Sequence, residues 1–301
     1  MSLPPSGEIP QGAIRFNTDS QRLEFYAQGE WWVMSTDTPN LGRSVDSTPG
    51  VRGLFTGGYA SGASSPKVTN KINYVNIAST GNAQEFGTLT TGAGQDVVNC
   101  GSSRTRGVFR DGNSASMTFV TFASLGNSVT FGNSGLTANR ASGLSNETRG
   151  IHGGGNSSAR NQLEYITIAS TGNAVDFGNL VTGAHSAGTG ASPTRGIFAG
   201  CATHPSSSGN AIEFVTIATL GNASDFGDLS AGGSSYQTNS SSNATRMLVL
   251  DDFAIDKIQI QTLGNAVDFG DTSSSTSPGG GASSSTRALF AGGNDPAVII
   301  E

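Results

Sequence analysis

The residues of this 301-residue chain that most readily do chemistry are three histidines, two cysteines and a thin set of charges. His152, His185 and His204 have no i, i+4 relation, so no pair shares a helix face as a metal-binding motif requires. Cys100 and Cys201 are too few for a disulfide framework or a zinc site and read as small buried or half-buried thiols. Ser and Thr are so common that a Ser-His-Asp set could be assembled anywhere by accident. The glycine runs at 153–155 and 279–281 open no helix, which phosphate cradling needs. Asp251 and Asp252 could meet Ca²⁺ but lack a full ligand loop. The expectation is a non-enzyme with no catalytic residue, no metal site and no cofactor.

Arginine is the polar residue that recurs in pattern. A T-R-G-x-F-x-G-G motif reads VRGLFTGG at 51–58, TRGVFRDG at 105–112, TRGIHGGG at 148–155 and TRGIFAGC at 194–201. Weaker copies are TRMLVLDD at 245–252 and TRALFAGG at 286–293. Arg52, Arg106, Arg149, Arg195, Arg246 and Arg287 are thereby spaced 54, 43, 46, 51 and 41 residues apart. His152 stands where other copies have Phe, which favours a packing role. Two readings of the arginines compete. They could ring a channel and hold an anion or anionic glycan. They could instead pair with the acids Glu85, Asp176, Asp225 and Asp268, since Arg suits bidentate pairing with carboxylates. The structural reading is preferred, with Thr130 in repeat two leaving one pair missing.

A second motif follows each of the first five copies, as in INYVNIASTGNAQEFG at 72–87 and IEFVTIATLGNASDFG at 212–227. Alternation places Ile212, Phe214 and Thr216 on one face, with Val215 and Ile217 on the other. A strand apolar on both faces is covered on both. The Gly-Asn step after it is a hairpin-turn signal, and Asp-Phe-Gly is the next, shorter strand. From the aromatic position to the Phe of that strand the step is 12 every time. From that Phe to the next Arg it is 20, 18, 18, 20 and 18, always even, which preserves strand faces. From Arg to the next aromatic it is 22, 13, 16, 19 and 11, so length variation collects in the loop after the Gly-Gly step. Tyr59, Ser61, Asn156, Arg160, His204 and Ser207 lie on those loops and are the candidate binding residues.

Composition sets the material around these positions. With 43 glycines and 13% charged residues the chain is poor in helix formers, and no helix longer than about two turns is expected. A net charge of −6 with only 16 basic residues argues against a nucleic-acid partner. The apolar runs are too short to span a bilayer, so no membrane insertion is expected. The amino terminus has neither the basic nor the apolar region of a signal peptide.

Each repeat thus holds a Gly/Ser-rich strand, the Arg strand, the aromatic strand and the Asp-Phe-Gly strand. Four antiparallel strands in 40 to 50 residues make the unit of a propeller blade. The unit resembles kelch, departing from it by Phe where kelch usually has Trp. The expected fold is all-β: a six-bladed, kelch-like β-propeller over 37–301. Trp32 lies 20 residues before Arg52, the Phe86–Arg106 spacing, so residues 31–34 are expected to close the sixth blade. Its third strand is left open between the segment from Leu23 to Tyr26 and that from Ala297 to Glu301.

Residues 12–34, GAIRFNTDSQRLEFYAQGEWWVM, read as a three-strand meander in a module spanning 1–36. This segment resembles a short G-x-I-R-F-N-T module of tail-fibre and appendage proteins of tailed phages. The repeats also resemble those of long structural proteins of marine cyanophages. The resemblance implies a virion protein, assembled in the host cytoplasm: a tail fibre, adhesin, or head or tail decoration. It would contact other virion proteins, form a homo-oligomer through the N-terminal module, or bind a host-surface glycan or protein. A cellular glycan-binding propeller is the alternative, and a propeller hydrolase or lyase a further one.

Overall fold

The computed structural model of the chain describes residues 9–18, 22–33, 52–58, 69–90, 97–111, 114–155, 161–201, 209–230, 238–251, 253–272 and 280–291. The chain divides into two compact units, Met1–Pro39 and Asn40–Glu301. All regular structure among the described residues is strand, without a helix.

In the first unit β1 (Ile14–Asn17), β2 (Arg22–Ala27) and β3 (Glu30–Val33) form an antiparallel meander in the order β1-β2-β3. Ile14 lies opposite Phe25, Phe16 opposite Leu23, and Phe25 opposite Trp32. Leu23 and Tyr26 sit on the central strand, whose two edges are both paired. That pairing leaves β2 no edge for the sixth repeat.

In the second unit each repeat builds one antiparallel sheet. Repeat one supplies β4 (Arg52–Thr56), β5 (Lys71–Asn76) and β6 (Gln84–Thr88). Repeat two supplies β7 (Val97–Ser102), β8 (Arg106–Asp111), β9 (Ser116–Thr121) and β10 (Val129–Asn133). Repeat three supplies β11 (Ser142–Ser145), β12 (Arg149–Gly153), β13 (Gln162–Thr167) and β14 (Val175–Asn179). Repeat four supplies β15 (Gly188–Ala191), β16 (Arg195–Cys201), β17 (Ala211–Thr216) and β18 (Ser224–Asp228). Repeat five supplies β19 (Asn239–Ser242), β20 (Arg246–Asp251), β21 (Ala254–Gln259) and β22 (Val267–Asp271). In repeat six the described strands are β23 (Gly280–Ser283) and β24 (Ala288–Ala291). The segment from Ala297 to Glu301 lies outside the described residues.

The apolar cores lie between consecutive sheets, which is why the third strands are apolar on both faces. Ile212 and Phe214 of β17 pack with Met247, Ile258 and Ile260 of repeat five. Val215 and Ile217, on the other face, pack with Leu144, Leu163 and Phe177 of repeat three. Repeat six meets repeat one in the same manner, with Leu289 and Ala282 against Phe55, Val75 and Ile77.

The first strands are Gly/Ser-rich because those of adjacent sheets press together. A Cβ on Gly143 would strike the Asn99 carbonyl oxygen, and one on Gly281 would strike that of Ser240. Serine hydroxyls bridge these strands: Ser145 Oγ donates to the Ser102 carbonyl and Ser240 Oγ to that of Thr189, both at 2.8 Å.

On the fourth strands of repeats one to five the pairing skips the phenylalanine, a bulge that in the first four turns the ring into the intersheet core. Phe86, Phe131, Phe177 and Phe226 are at most 3% exposed, whereas Phe269 is 57% exposed. The Gly-Asn step serves a purpose that a hairpin turn does not. Gly126 N–H donates to the Phe86 carbonyl and Ser128 N–H to that of Thr88, each at 2.9 Å, while Asn127 Oδ1 accepts from Thr88 N–H at 3.0 Å. The segment is therefore laid along the edge of the preceding sheet and hydrogen-bonded to it. Asn173, Asn222 and Asn265 make the equivalent bonds to Asn133, Asn179 and Asp228. The fit requires glycine on the sheet side, since a Cβ on Gly87 would strike the Gly126 carbonyl oxygen, whereas a Cβ on Gly126 would meet open space.

Candidate functional site

Five of the six arginines open their second strands and Arg287 immediately precedes β24; five of the six reach another repeat. Nη1 of Arg52 donates to the Phe122 carbonyl at 2.6 Å, Arg106 to Ala169 at 2.7 Å, and Arg149 to Ile217 at 2.7 Å. Arg195 donates to the Ile260 carbonyl at 2.9 Å and Arg287 to that of Ile77 at 3.2 Å. Four guanidiniums also lie over the aromatic of their own third strand: Arg52 on Tyr74, Arg106 on Phe119, Arg149 on Tyr165 and Arg195 on Phe214, at 4.5 to 5.1 Å. A hydrogen bond to a charged donor contributes roughly 1.5–3 kcal/mol and exposed ring stacking about 0.5–1 kcal/mol. Arg246, whose repeat carries Lys257 at the aromatic position, is exposed and makes no such bond among the described residues.

The expected carboxylate partners are placed elsewhere. Glu85 pairs with Lys71 at 3.1 Å, and Asp268 Oδ1 accepts from Gly270 N–H at 3.1 Å. Asp176 and Asp225 face solvent. For these five guanidiniums a carbonyl at the end of the third strand of the repeat they meet is in reach, and a partly buried backbone acceptor needs a donor. These five arginines thus tie one repeat to the backbone of another, and none of them forms an ion pair among the described residues.

A second set of ties was not anticipated. Glu164, Glu213 and Asp256 each precede the aromatic position, or Lys257 in repeat five, on the third strand. Glu164 accepts from Ser134 Oγ at 2.7 Å and Gly135 N–H at 3.0 Å. Glu213 accepts from the N–H groups of Val181 and Thr182 at 2.7 and 2.8 Å, and Asp256 from Ser230 N–H at 2.8 Å. Each carboxylate fixes the segment that follows the fourth strand of the preceding repeat. Repeats one and two carry Asn73 and Thr118 there, so an acid in three successive repeats was the available signal.

His152 is fully buried, with Nε2 at 3.2 Å from Ser134 Oγ and 3.7 Å from Glu164 Oε2. Burial, with Arg110 nearby, pushes its pKa down to about 3, so it is neutral at pH 7 and the approach to Glu164 is not an ion pair. Arg110 itself is fully buried and donates to the Ala138 carbonyl at 2.8 Å. Cys100 and Cys201 are free and buried. Burial pushes the Cys100 thiol up to about 12 and raises that of Cys201, which makes both poor nucleophiles. His185 is also buried, in repeat three.

Of the candidate binding residues, Tyr59, Ser61, Asn156, Arg160, His204 and Ser207 all lie outside the described residues, as does Asp252. Asp251 is buried at the end of β20. Among the described residues no group of three or more His, Cys, Asp or Glu side chains is placed to hold a metal ion. The connections bearing the candidate residues join second to third strands: β4 to β5, β12 to β13, and β16 to β17. No protein-family model matches the chain, and no curated protein matches it.

Proposed function

We propose that this chain is a six-bladed, kelch-like propeller serving as a non-enzymatic virion protein of a tailed phage, in host-surface recognition or particle assembly. The observation that carries the reading is the concentration of nearly all length variation in connections between second and third strands. These connections run from Thr56 to Lys71 in repeat one but only from Asp251 to Ala254 in repeat five. Equivalent connections of a propeller open on one rim, so variation there changes a binding surface without disturbing the blades. The Arg287–Ile77 bond and the Leu289–Val75 packing support ring closure between repeats six and one. The sixth blade would take its outer strand from the N-terminal segment around Trp32, as the 20-residue spacing to Arg52 suggests. The recurrent arginines and acids support a scaffold, because backbone atoms of neighbouring repeats occupy them.

Binding of fluorescently labelled protein to susceptible host cells, and immunogold labelling of particles, test this reading. Shortening the connections at 59–68 and 202–208 together should weaken cell binding while stability stays within about 1 kcal/mol. Full binding by the folded double-shortened protein, or particles without label, would overturn it.

A further inference from the structure

The N-terminal meander has two unlike faces. On one, Arg15 pairs with Glu24 at 2.8 Å and lies over the Trp31 ring at 4.1 Å, while Asn17 donates to Glu24 at 2.9 Å. Tyr26 is buried on this face and packs edge-on to Trp31. Hydrogen bonds from Asn17 and Arg15 hold the Glu24 carboxyl below its ordinary range. This face is satisfied internally.

The strand register puts Ile14, Phe16, Leu23, Phe25 and Trp32 together on the other face. Ile14 is 63% exposed, Phe16 58% and Trp32 48%. Every side chain of the cluster is apolar, and the one polar atom, Trp32 Nε1, already donates to the Ala27 carbonyl at 3.0 Å. A contiguous exposed apolar face of this kind marks an interaction surface.

We propose that this face is a self-association surface, occupied by the same face of a second copy of this chain. Its chemistry selects that occupant. A glycan needs several unpaired donors and acceptors beside the aromatic, whereas the indole N–H is committed and Glu30, opposite Ala27 at the end of this face, is the one polar side chain the strands place there. An anionic membrane surface needs a basic cluster, whereas residues 9–33 hold two arginines against three acids, Arg15 and Arg22 against Asp19, Glu24 and Glu30. A surface of near-zero charge does not repel its own copy. The five side chains offer on the order of 450 Å² per copy, so a symmetric pair buries roughly 900 Å², close to the lower bound for a specific contact. The proposal deepens the virion reading by naming the surface through which copies assemble, and it stands whether or not the propeller binds host cells.

Sedimentation velocity on the full chain at tens of micromolar tests it, beside a variant carrying Ile14→Thr and Phe16→Ser, which keeps β-compatible side chains. The expected result is a reversible oligomer whose dissociation constant rises at least tenfold in the variant, with an unchanged circular dichroism spectrum. Quenching of Trp fluorescence by acrylamide should increase in step with dissociation. A wild-type chain that stays monomeric, or an oligomer that the folded variant keeps at full strength, would overturn the proposal. If the variant unfolds, Trp32→Thr on the same face gives the same readout.

Discussion

Arg287 donates from Nη1 to the carbonyl oxygen of Ile77 at 3.2 Å, although 210 residues separate them in the chain. The same bond, second-strand arginine to third-strand carbonyl, joins repeat one to two, two to three, three to four and four to five. A contact repeated between sequence neighbours, and then made between the last repeat and the first, is what a cyclic arrangement requires.

Arg195 and Arg246 therefore differ in what they hold. Arg195→Ala removes a charged hydrogen bond and a ring contact, and should lower unfolding free energy by about 2–3 kcal/mol. Arg246→Ala, at an exposed site without such a bond among the described residues, should change it by no more than about 0.5 kcal/mol. Urea denaturation of both variants measures the difference, and equal effects would contradict the assignment.

The fourth-strand phenylalanines supply a parallel contrast. Phe226→Ala should cost about 3–5 kcal/mol, since the ring is 3% exposed among repeat-five side chains. Phe269→Ala, with the ring 57% exposed, should cost less than about 1 kcal/mol. A large loss at Phe269 would mean that the ring is covered in solution.

His152 makes stability depend on pH. Its folded pKa, about 3, lies below the unfolded value of roughly 6.5. The unfolded chain therefore binds the extra proton first. Stability contributed by the neutral imidazole is complete above about pH 6.5 and falls as pH drops toward 3, by up to about 1.4 kcal/mol per unit. His152→Phe, the residue type at Phe109 and Phe198, should flatten that slope while Glu164 keeps its bonds to Ser134 and Gly135. Parallel pH titrations of melting temperature for the two proteins check this.

The strand order, the loop positions and the two-faced third strands were legible in the sequence because each has a period or a spacing. Ile212 and Val215 pack into different cores as alternation requires. The arginine partners were not legible, because a backbone carbonyl carries no residue identity. The Gly-Asn step misled for a related reason. The same dipeptide that suits a tight turn also suits a close edge contact, where Gly172 N–H meets the Phe131 carbonyl at 2.9 Å. Trp32 pairs within its own meander, opposite Phe25, because a two-residue turn at Gln28 and Gly29 places that partner first.

Removing residues 1–36 tests the proposed closing strand. Aggregation or loss of cooperative unfolding is the outcome expected of a segment that supplies the outer strand of the sixth sheet. A truncated protein that melts as the full chain does would assign the segment to self-association alone.

Closure between repeats one and six is the central structural claim, and disulfide trapping tests it most directly. A Cβ on Gly53 would lie 2.8 Å from the Ala282 Cβ, so parting the two strands by about 1 Å brings the pair into the Cβ–Cβ range of a disulfide. Cys100 and Cys201 are buried and do not compete. The Gly53→Cys, Ala282→Cys double variant should form an intramolecular disulfide in air, seen as faster migration on a non-reducing gel and confirmed by peptide mass. A folded variant whose new cysteines stay free, or that cross-links only between molecules, would contradict closure.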